Sequence, residues 1–339
     1  MLKINMFSSA DKVKGQGVGS AYNELVELLE KFFPSELKIT INQLKKVDIS
    51  HYHTIDPQYY LASFLPNRGV NVGYVHFLPE TIEGSLQLPK VIKWIFYKYM
   101  IAFYKRMDAL VVVNPTFIPK LTAYGIEKQK ITYIPNFVST KTFYPQTKQQ
   151  KLDLRQKYTI AEDKFVVLGV GQVQQRKGVL DFVQLAKENP DMQFIWVGGF
   201  SFGKMTDGYQ QLSRIVDNPP ANLLFTGIVD RQKMNEYYNI ADIFLLPSYN
   251  ELFPMSILEA FSCNVAVMVR DLELYDAVIS GYYEPAQDVE QMGFKLNELK
   301  DSPEKLALLQ QKSKKAASYY SEQRLAEIWK KYYAKLVGE

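Results

Sequence analysis

The sequence contains a single cysteine, Cys263, so no disulfide can form within the chain and nothing argues against a reducing cytoplasm. Histidine is nearly as scarce: His51, His53 and His76 are the only three, all in the first quarter of the chain. No uncharged apolar run approaches the roughly 20 residues needed to cross a bilayer. The opening stretch, Met1 to Phe7, has one charge and a short apolar run, and it reads as a first strand rather than a signal peptide. Internal repeats and low-complexity tracts are absent. These absences predict a soluble or peripheral protein rather than a transmembrane one.

What is present is globular. Hydrophobic residues make up 47% and charged residues 22% of 339 positions, enough for two domains with separate cores. The net charge of +4 conceals an asymmetry. Residues 1–150 carry 18 Lys and Arg against 11 Asp and Glu, and the remainder 22 against 25. A basic half beside an acidic half suggests that the first half alone meets an anionic partner, nucleic acid or anionic lipid.

The chain starts with a strand at Leu2–Phe7 and reaches a helix at Ser20–Phe33 through a segment holding Gly15, Gly17 and Gly19. Glycines on alternate positions permit a tight turn or close approach of backbone to a ligand. They do not form the G-x-G-x-x-G dinucleotide pattern, and no acid follows a second strand at the required place, so a dehydrogenase is not indicated. Residues 47–54 and 70–77 read as short strands with polar ends. His51 and His53 share a strand face, which could be half a metal site, but a third ligand at suitable spacing is missing. Hydrogen-bonded site or core histidines are the better reading. His76, ending a strand before Leu78-Pro79-Glu80, is the stronger candidate for chemistry.

The segment Lys90–Met107 has five basic residues and no acid. At 100° per residue one face gathers Val91, Ile92, Ile95, Phe96, Tyr99, Phe103 and Met107, which predicts the core side. The other gathers Lys90, Lys93, Lys98 and Lys105 with Trp94, Tyr97, Ile101 and Tyr104. Lysines mixed with aromatic rings suit a helix lying in a membrane interface, with about 1 kcal/mol per basic residue near anionic lipid. The competing reading is a helix packed on both sides with snorkelling lysine stems. A strand at Ala109–Val113, a short helix up to Tyr124-Gly125 and a strand at Ile131–Asn136 follow. The polar run Gln146–Lys157 reads as a linker.

Beyond it the pattern restarts. A strand at Phe165–Gly171 leads through Gln172-Val173-Gln174-Gln175-Arg176-Lys177-Gly178 into a helix at Val179–Lys187, a plausible phosphate cradle although not a P-loop. Strands at Gln193–Val197, Asn222–Thr226 and Ile243–Leu246 alternate with helices, as in a second doubly wound sheet. The last of them stops at Pro247-Ser248 and is followed by Tyr249–Val267, which holds Glu251 and Glu259. Pro254 suits a first helical position, and Ile257, Leu258 and Phe261 supply a core face. Glu251 is therefore expected on a loop at the carboxyl end of a strand, where open α/β sheets place ligands, and Glu259 one turn inside a helix.

These residues resemble glycosyltransferase family 4 over almost the whole chain. Glu251 and Glu259 match the E-x7-E motif of that family. Gly171, Lys177 and Gly178 match its G-R-x-x-x-x-K-G loop, and Ile134-Pro135-Asn136 its I-P-N-G turn. Gly227 and Tyr237–Ile243 resemble two further segments. Gln172 stands at the motif arginine, Leu252 and Asn264 at usual glycines, and Phe137 at the glycine of the turn. These departures bear on the shape of the donor pocket more than on the reaction type.

The resemblance implies an α/β, GT-B fold: two Rossmann-like doubly wound parallel-sheet domains facing across a cleft. The expected domains are an acceptor and membrane domain at 1–145, a nucleotide-sugar domain at 146–315, and a final helix from 316 returning to the first. It also implies a retaining hexosyltransferase with a UDP-sugar donor and no metal or other cofactor. His76, Lys177 and Glu251 would be catalytic. Donor binding would fall to Gly17, Gly19, Arg176, Lys177, Gly198, Ile228, Glu251, Phe253, Met255, Ser256 and Glu259. Of these, Glu251 would hold the hexose, Glu259 the ribose, and Lys177 with Arg176 the leaving diphosphate. The membrane would be met by Lys90, Lys93, Trp94, Tyr97, Lys98, Tyr104 and Lys105. Within the family, the basic aromatic helix, His51–Thr54 and Arg270–Tyr275 are most similar to bacterial diacylglycerol glycosyltransferases. Transfer of α-galactose from UDP-galactose to glucosyl-diacylglycerol, for membrane glycolipid and lipoteichoic acid anchors, at the cytoplasmic face of the membrane, is then expected. Transfer of a first glucose to diacylglycerol, a polysaccharide acceptor, or a silent sugar-nucleotide-binding scaffold are the alternatives. Nucleic-acid binding falls behind, since the second half is acidic.

Overall fold

The structure is a computed structural model that describes residues 1–10, 17–81, 89–201 and 203–338. The chain divides into two units, one built from the described residues up to Phe137 together with those from Ser321 onward, the other from Val138–Tyr320.

The first unit contains β1 (Leu2–Phe7), α1 (Gly17–Phe32), β2 (Leu37–Ile41), β3 (Ile49–Tyr52) and α2 (Pro57–Ala62). It continues with β4 (Val70–Val75), α3 (Lys90–Arg106), β5 (Ala109–Val112), α4 (Phe117–Ala123) and β6 (Ile131–Tyr133). In the second unit, α5 (Lys148–Lys157), β7 (Val166–Val170), α6 (Val179–Glu188), β8 (Gln193–Val197), α7 (Tyr209–Asp217) and β9 (Leu223–Phe225) come first. Then follow α8 (Arg231–Ile240), β10 (Ile243–Leu246), α9 (Met255–Ser262), β11 (Ala266–Arg270), α10 (Glu273–Ile279), β12 (Glu284–Ala286), α11 (Val289–Asp301) and α12 (Pro303–Tyr319). The last helix, α13 (Glu322–Val337), belongs to the first unit.

Both sheets are parallel, ordered β2-β1-β3-β4-β5-β6 and β12-β11-β10-β7-β8-β9. Counted from its own first strand, the second sheet runs 3-2-1-4-5-6, the dinucleotide-fold order, whereas the first has the flavodoxin-like 2-1-3 start. The order reverses beside β1 and β3 in one sheet and beside β7 and β10 in the other. Strands buried on both faces explain the continuous apolar runs: Ile243–Leu246 and Ala266–Val269 are almost wholly inaccessible.

The boundaries fall elsewhere than the sequence predicts. Residues 138–145 pack with the second unit, where Tyr144 N–H and Gln146 N–H donate to the Asn235 and Asn239 side chains of α8 at 3.1 and 2.7 Å. The expected linker at Gln146–Lys157 is largely the helix α5. Thr147 and Gln150 close a capping box at its start, which a run without an apolar face does not advertise. The second unit keeps α12 through Tyr320, whose hydroxyl donates to Val278 O, so the return starts at Ser321 rather than 316. Within the first unit, α13 is joined to α1 by Lys31–Glu322 at 3.1 Å and to β3 by the bond between Tyr333 Oη and His51 Nδ1 at 2.8 Å.

Helix α3 buries part of the face its periodicity suggests, Phe103 and Met107, but is rotated so that Met100 and Tyr104 join them. Val91, Ile92 and Ile95 are exposed, while Met100, Phe103, Tyr104 and Met107 are buried. Tyr104, expected at the membrane, is therefore a core residue whose hydroxyl donates to Phe77 O at 2.9 Å. The lysine-bearing sector of this helix also carries Trp94, Tyr97, Ile101 and Tyr104, so the pattern alone cannot orient it.

Candidate active site

In the second unit, the residues after β7 meet the residues after β10, at the reversal of strand order. The segment following β7 closes in a turn of 3-10 helix, Gln175–Lys177, and Gly178 then begins α6. Gly178 has φ of 71°, and a Cβ there would stand 2.2 Å from Pro247 O, so only glycine lets the two loops lie this close. Three further bonds stitch them together. Tyr249 N–H donates to Arg176 O at 2.8 Å, Arg176 Nη1 to Asn250 O at 3.1 Å, and Ser248 Oγ to Lys177 O at 3.5 Å.

This lacing brings Lys177 and Glu251 into a direct ion pair. Glu251 is buried, at 5% exposure, and the Lys177 side chain is 12% exposed. Burial pushes the Glu251 carboxyl up, but the Lys177 and Arg176 charges and the Lys177 and Ser248 hydrogen bonds outweigh it and hold it below the usual carboxylate range. Burial also lowers Lys177, and the attraction of Glu251 offsets this only in part. A pair of this kind stores little net stability, yet removing either partner strands a buried charge.

Glu259, on α9, is held differently. Arg231 Nη1 donates to its Oε1 at 2.8 Å and Tyr238 Oη to its Oε2 at 2.7 Å, both from α8. The Arg231 guanidinium also lies 4.9 Å from the Phe143 ring centroid. The Glu259 charge raises the Tyr238 hydroxyl, after burial has done most of that, so the phenol remains a hydrogen-bond donor. The first turn of α9 has Pro254 as its cap and no side chain capping it. Its N–H groups at Met255 and Ser256 make a helix N-terminus fit for an anion. The Phe253 and Met255 side chains themselves turn inward, with Phe253 5.3 Å from the Tyr320 ring, so only their backbone is available to a ligand.

Gly198 follows β8 with φ of 133°, and a Cβ there would meet Gly171 O at 2.0 Å. Gly198 pairs with Gly227, and Ile228 beside it is exposed. Arg270, which the sequence marks only through a resemblance, has a role that sequence reasoning missed. Its guanidinium stacks 4.0 Å from the Tyr249 ring, pairs with Asp181, and donates to Pro247 O at 3.0 Å, pinning the end of β10. Arg231 and Tyr238 were missed as well. The y-x-x-A-D run contains the tyrosine, but no spacing signals that it reaches Glu259.

The first unit gathers the remaining candidates. Gly17 and Gly19 form the first turn of α1 rather than a loop, and a Cβ on Gly19 would stand 3.0 Å from Ala10 O. His76 is buried beside Tyr74, with ring centroids 4.3 Å apart, and His53 lies 5.1 Å from Tyr74 and 4.3 Å from His51. Trp329 of α13 also stacks on Tyr74, with centroids 5.7 Å apart. Burial lowers His51 and His76 to about 3 and His53 well below its usual value, with neighbouring histidines adding to this at His51 and His53, so all three are neutral. His76 Nε2 and both His53 nitrogens lack a hydrogen-bond partner among the described residues. The described residues hold no group of three or more side chains suited to a metal ion.

Two family descriptions match: Glycosyltransferase Family 4 over residues 18–142, and Glycosyl transferases group 1 over residues 150–316. The chain is 49% identical over 335 residues to the alpha-galactosylglucosyldiacylglycerol synthase of Streptococcus pneumoniae, covering 98% of this chain and 90% of that protein. It is 26% identical to the processive diacylglycerol alpha-glucosyltransferase of Acholeplasma laidlawii, over 81% of this chain and 80% of that one. Among solved structures, Anabaena HepE with UDP and glucose superposes with a TM-score of 0.78 at 14% identity, covering 98% of this chain and 99% of that one. The sucrose-phosphate synthase of Thermosynechococcus elongatus superposes with 0.80 at 15%, covering both chains in full. The fold is GT-B, and the chain belongs to glycosyltransferase family 4.

Proposed function

We propose that the protein is a retaining hexosyltransferase that moves galactose from UDP-galactose to glucosyl-diacylglycerol, forming an α linkage. The observation that carries this reading is near-full-length similarity to a galactosylglucosyldiacylglycerol synthase, in a chain whose Lys177–Glu251 pair lies at a strand-order reversal. A UDP-sugar donor agrees with the UDP and glucose held by the HepE structure.

In the proposed reaction, the acceptor hydroxyl oxygen bonds to the hexose anomeric carbon on the face the diphosphate leaves. As the bond from that carbon to the phosphate oxygen breaks, the hydroxyl proton passes to the departing phosphate. Charge grows on the diphosphate throughout. Lys177 and Arg176 oppose it, and the uncapped N-terminus of α9 adds its dipole. Lys177 is already paired with Glu251, so donor binding exchanges one anionic partner for another, and Glu251 turns to the hexose hydroxyls. Glu259 receives the ribose while Arg231 and Tyr238 fix its orientation. No carboxylate nucleophile is needed. His76, neutral and with no partner for Nε2 among the described residues, is suited to hydrogen-bond a sugar hydroxyl rather than to supply charge. The exposed lysines and rings of α3 would hold the protein on the lipid surface that contains its acceptor.

Supplying labelled UDP-galactose or UDP-glucose with diacylglycerol, glucosyl-diacylglycerol or oligosaccharide acceptors tests this. Labelled diglycosyl lipid from UDP-galactose is expected. Label appearing only on diacylglycerol would make the protein a first-sugar transferase, and label only on oligosaccharide would remove the lipid acceptor.

A further inference from the structure

Helix α3 does not carry the only exposed apolar side chains in the first unit. Its outward face presents Val91, Trp94 and Ile95, exposed by 69, 62 and 55%. Helix α2 and the turn after it present Leu61, Phe64 and Leu65, exposed by 67, 57 and 45%. The segment between β2 and β3 adds exposed Leu44 beside exposed Lys45 and Lys46.

Two arginines fasten these three segments to one another. Arg106, at the end of α3, lies 4.5 Å from the Phe64 ring and donates to Ser63 O at 2.6 Å. Arg68, after the α2 turn, donates to Lys45 O at 2.9 Å. Tyr60 of α2 packs against Tyr99 and Phe103 of α3 at 5.7 and 5.9 Å, and Tyr99 Oη donates to Ile55 O. The three segments that carry these apolar groups are thus braced to one another.

Charge identifies what covers it. Residues 42–47, 57–68 and 89–107 contain eight Lys and Arg and no Asp or Glu. A surface that mates with a second copy of itself would bring these like charges together. An anionic bilayer instead accepts the rings and attracts the lysines, each worth about 1 kcal/mol near the surface.

We propose that α2 with its following turn is a second membrane-inserting element, acting with α3 on an anionic lipid surface and carrying Leu61 and Phe64 into the acyl region. This rests on the lipid-surface reading of α3 given above. The test uses the full chain with vesicles of phosphatidylcholine alone or mixed with phosphatidylglycerol. Trp94 is exposed while Trp196 and Trp329 are buried, so fluorescence change on binding reports α3. Phe64→Trp in a Trp94→Phe background reports α2 through quenching by brominated acyl chains. Leu61→Ser/Phe64→Ser keeps the Arg106 bond to Ser63 O, and a melting curve matching the parent's shows that any loss of binding is not misfolding.

The proposal expects at least tenfold weaker binding to anionic vesicles for Leu61→Ser/Phe64→Ser, and bromolipid quenching of the Phe64→Trp reporter. Parental affinity for that variant without quenching, while Trp94→Ser/Ile95→Ser loses binding, would overturn the second element and leave the α3 reading standing. If neither variant weakens binding and Trp94 is not quenched, both readings fail. Concentration-dependent dimerisation without lipid, blocked by Leu61→Ser/Phe64→Ser, would make a second copy the occupant and also overturn it.

Discussion

The two units place polar side chains at the same point of a doubly wound sheet, just beyond the strands where the order reverses or next to them, and treat charge in opposite ways. In the second unit Glu251 and Glu259 are buried as carboxylates, each with a basic partner from another loop or helix. In the first, His51, His53 and His76 are buried against one another, Tyr74 and Trp329, and kept neutral. Buried ionisable groups have these two ways out, pairing or neutralisation. An anionic leaving group calls for the first. A sugar or lipid acceptor, rich in hydroxyls and without charge, is compatible with the second.

The sharpest way to break this contrast is Lys177→Ala. We expect turnover to fall by about 10²–10³-fold, the loss seen when one oxyanion donor is removed. The stranded Glu251 should also cost about 3–5 kcal/mol in denaturant melts. Lys177→Ala/Glu251→Gln should recover much of the stability and none of the turnover, separating the structural from the chemical part of the pair.

Acid provides the next test, because the units should respond at different pH. A histidine lowered to about 3 when folded titrates near 6.5 when unfolded, so between those values the unfolded chain binds more protons. Stability of the first unit is therefore complete above about pH 6.5 and falls as pH drops toward 3, by up to about 1.4 kcal/mol per pH unit for each such histidine. Glu251, lowered by its partners, keeps its contribution until the pH falls below the ordinary carboxylate range. Calorimetry at successively lower pH should show the first unit melting earlier while the second holds, and His51→Gln should flatten the slope. A single transition that moves equally for both units would contradict the contrast.

How much of this the sequence discloses depends on whether the signal is local. The β7 and β10 loops were legible because Gly178, Lys177 and the paired glutamates recur in a fixed order that the family resemblance supplies. The direct Lys177–Glu251 bond was not, since it joins residues from two loops separated by three crossovers. Arg231 reaches Glu259 from the neighbouring helix α8, and nothing at its position marks it. The orientation of α3 was legible only in part, at Phe103 and Met107, for a physical reason: with Trp94, Tyr97 and Tyr104 on the lysine side, both faces carry enough apolar surface to be core. Tertiary packing chose, and it buried Tyr104 and exposed Val91. The helix α5 was hidden because its stability comes from the Thr147 capping box and Arg155, whose guanidinium reaches Asp242 at 2.8 Å, rather than from an apolar stripe.

The smallest expected effect refines the second unit alone. Glu259→Gln should weaken UDP binding by about tenfold, roughly 1.4 kcal/mol, with a lesser change in turnover of bound donor. A larger loss in turnover than in binding, read by calorimetry and single-turnover kinetics, would move Glu259 from holding the ribose toward the reacting sugar.

The central claim is that the site built on the Lys177–Glu251 pair transfers galactose with retention. The direct measurement is the anomeric configuration, by NMR, of the diglycosyl lipid made from glucosyl-diacylglycerol with UDP-galactose and UDP-glucose in competition. An α-linked terminal galactose is the predicted product, whereas a β linkage or terminal glucose would contradict the account.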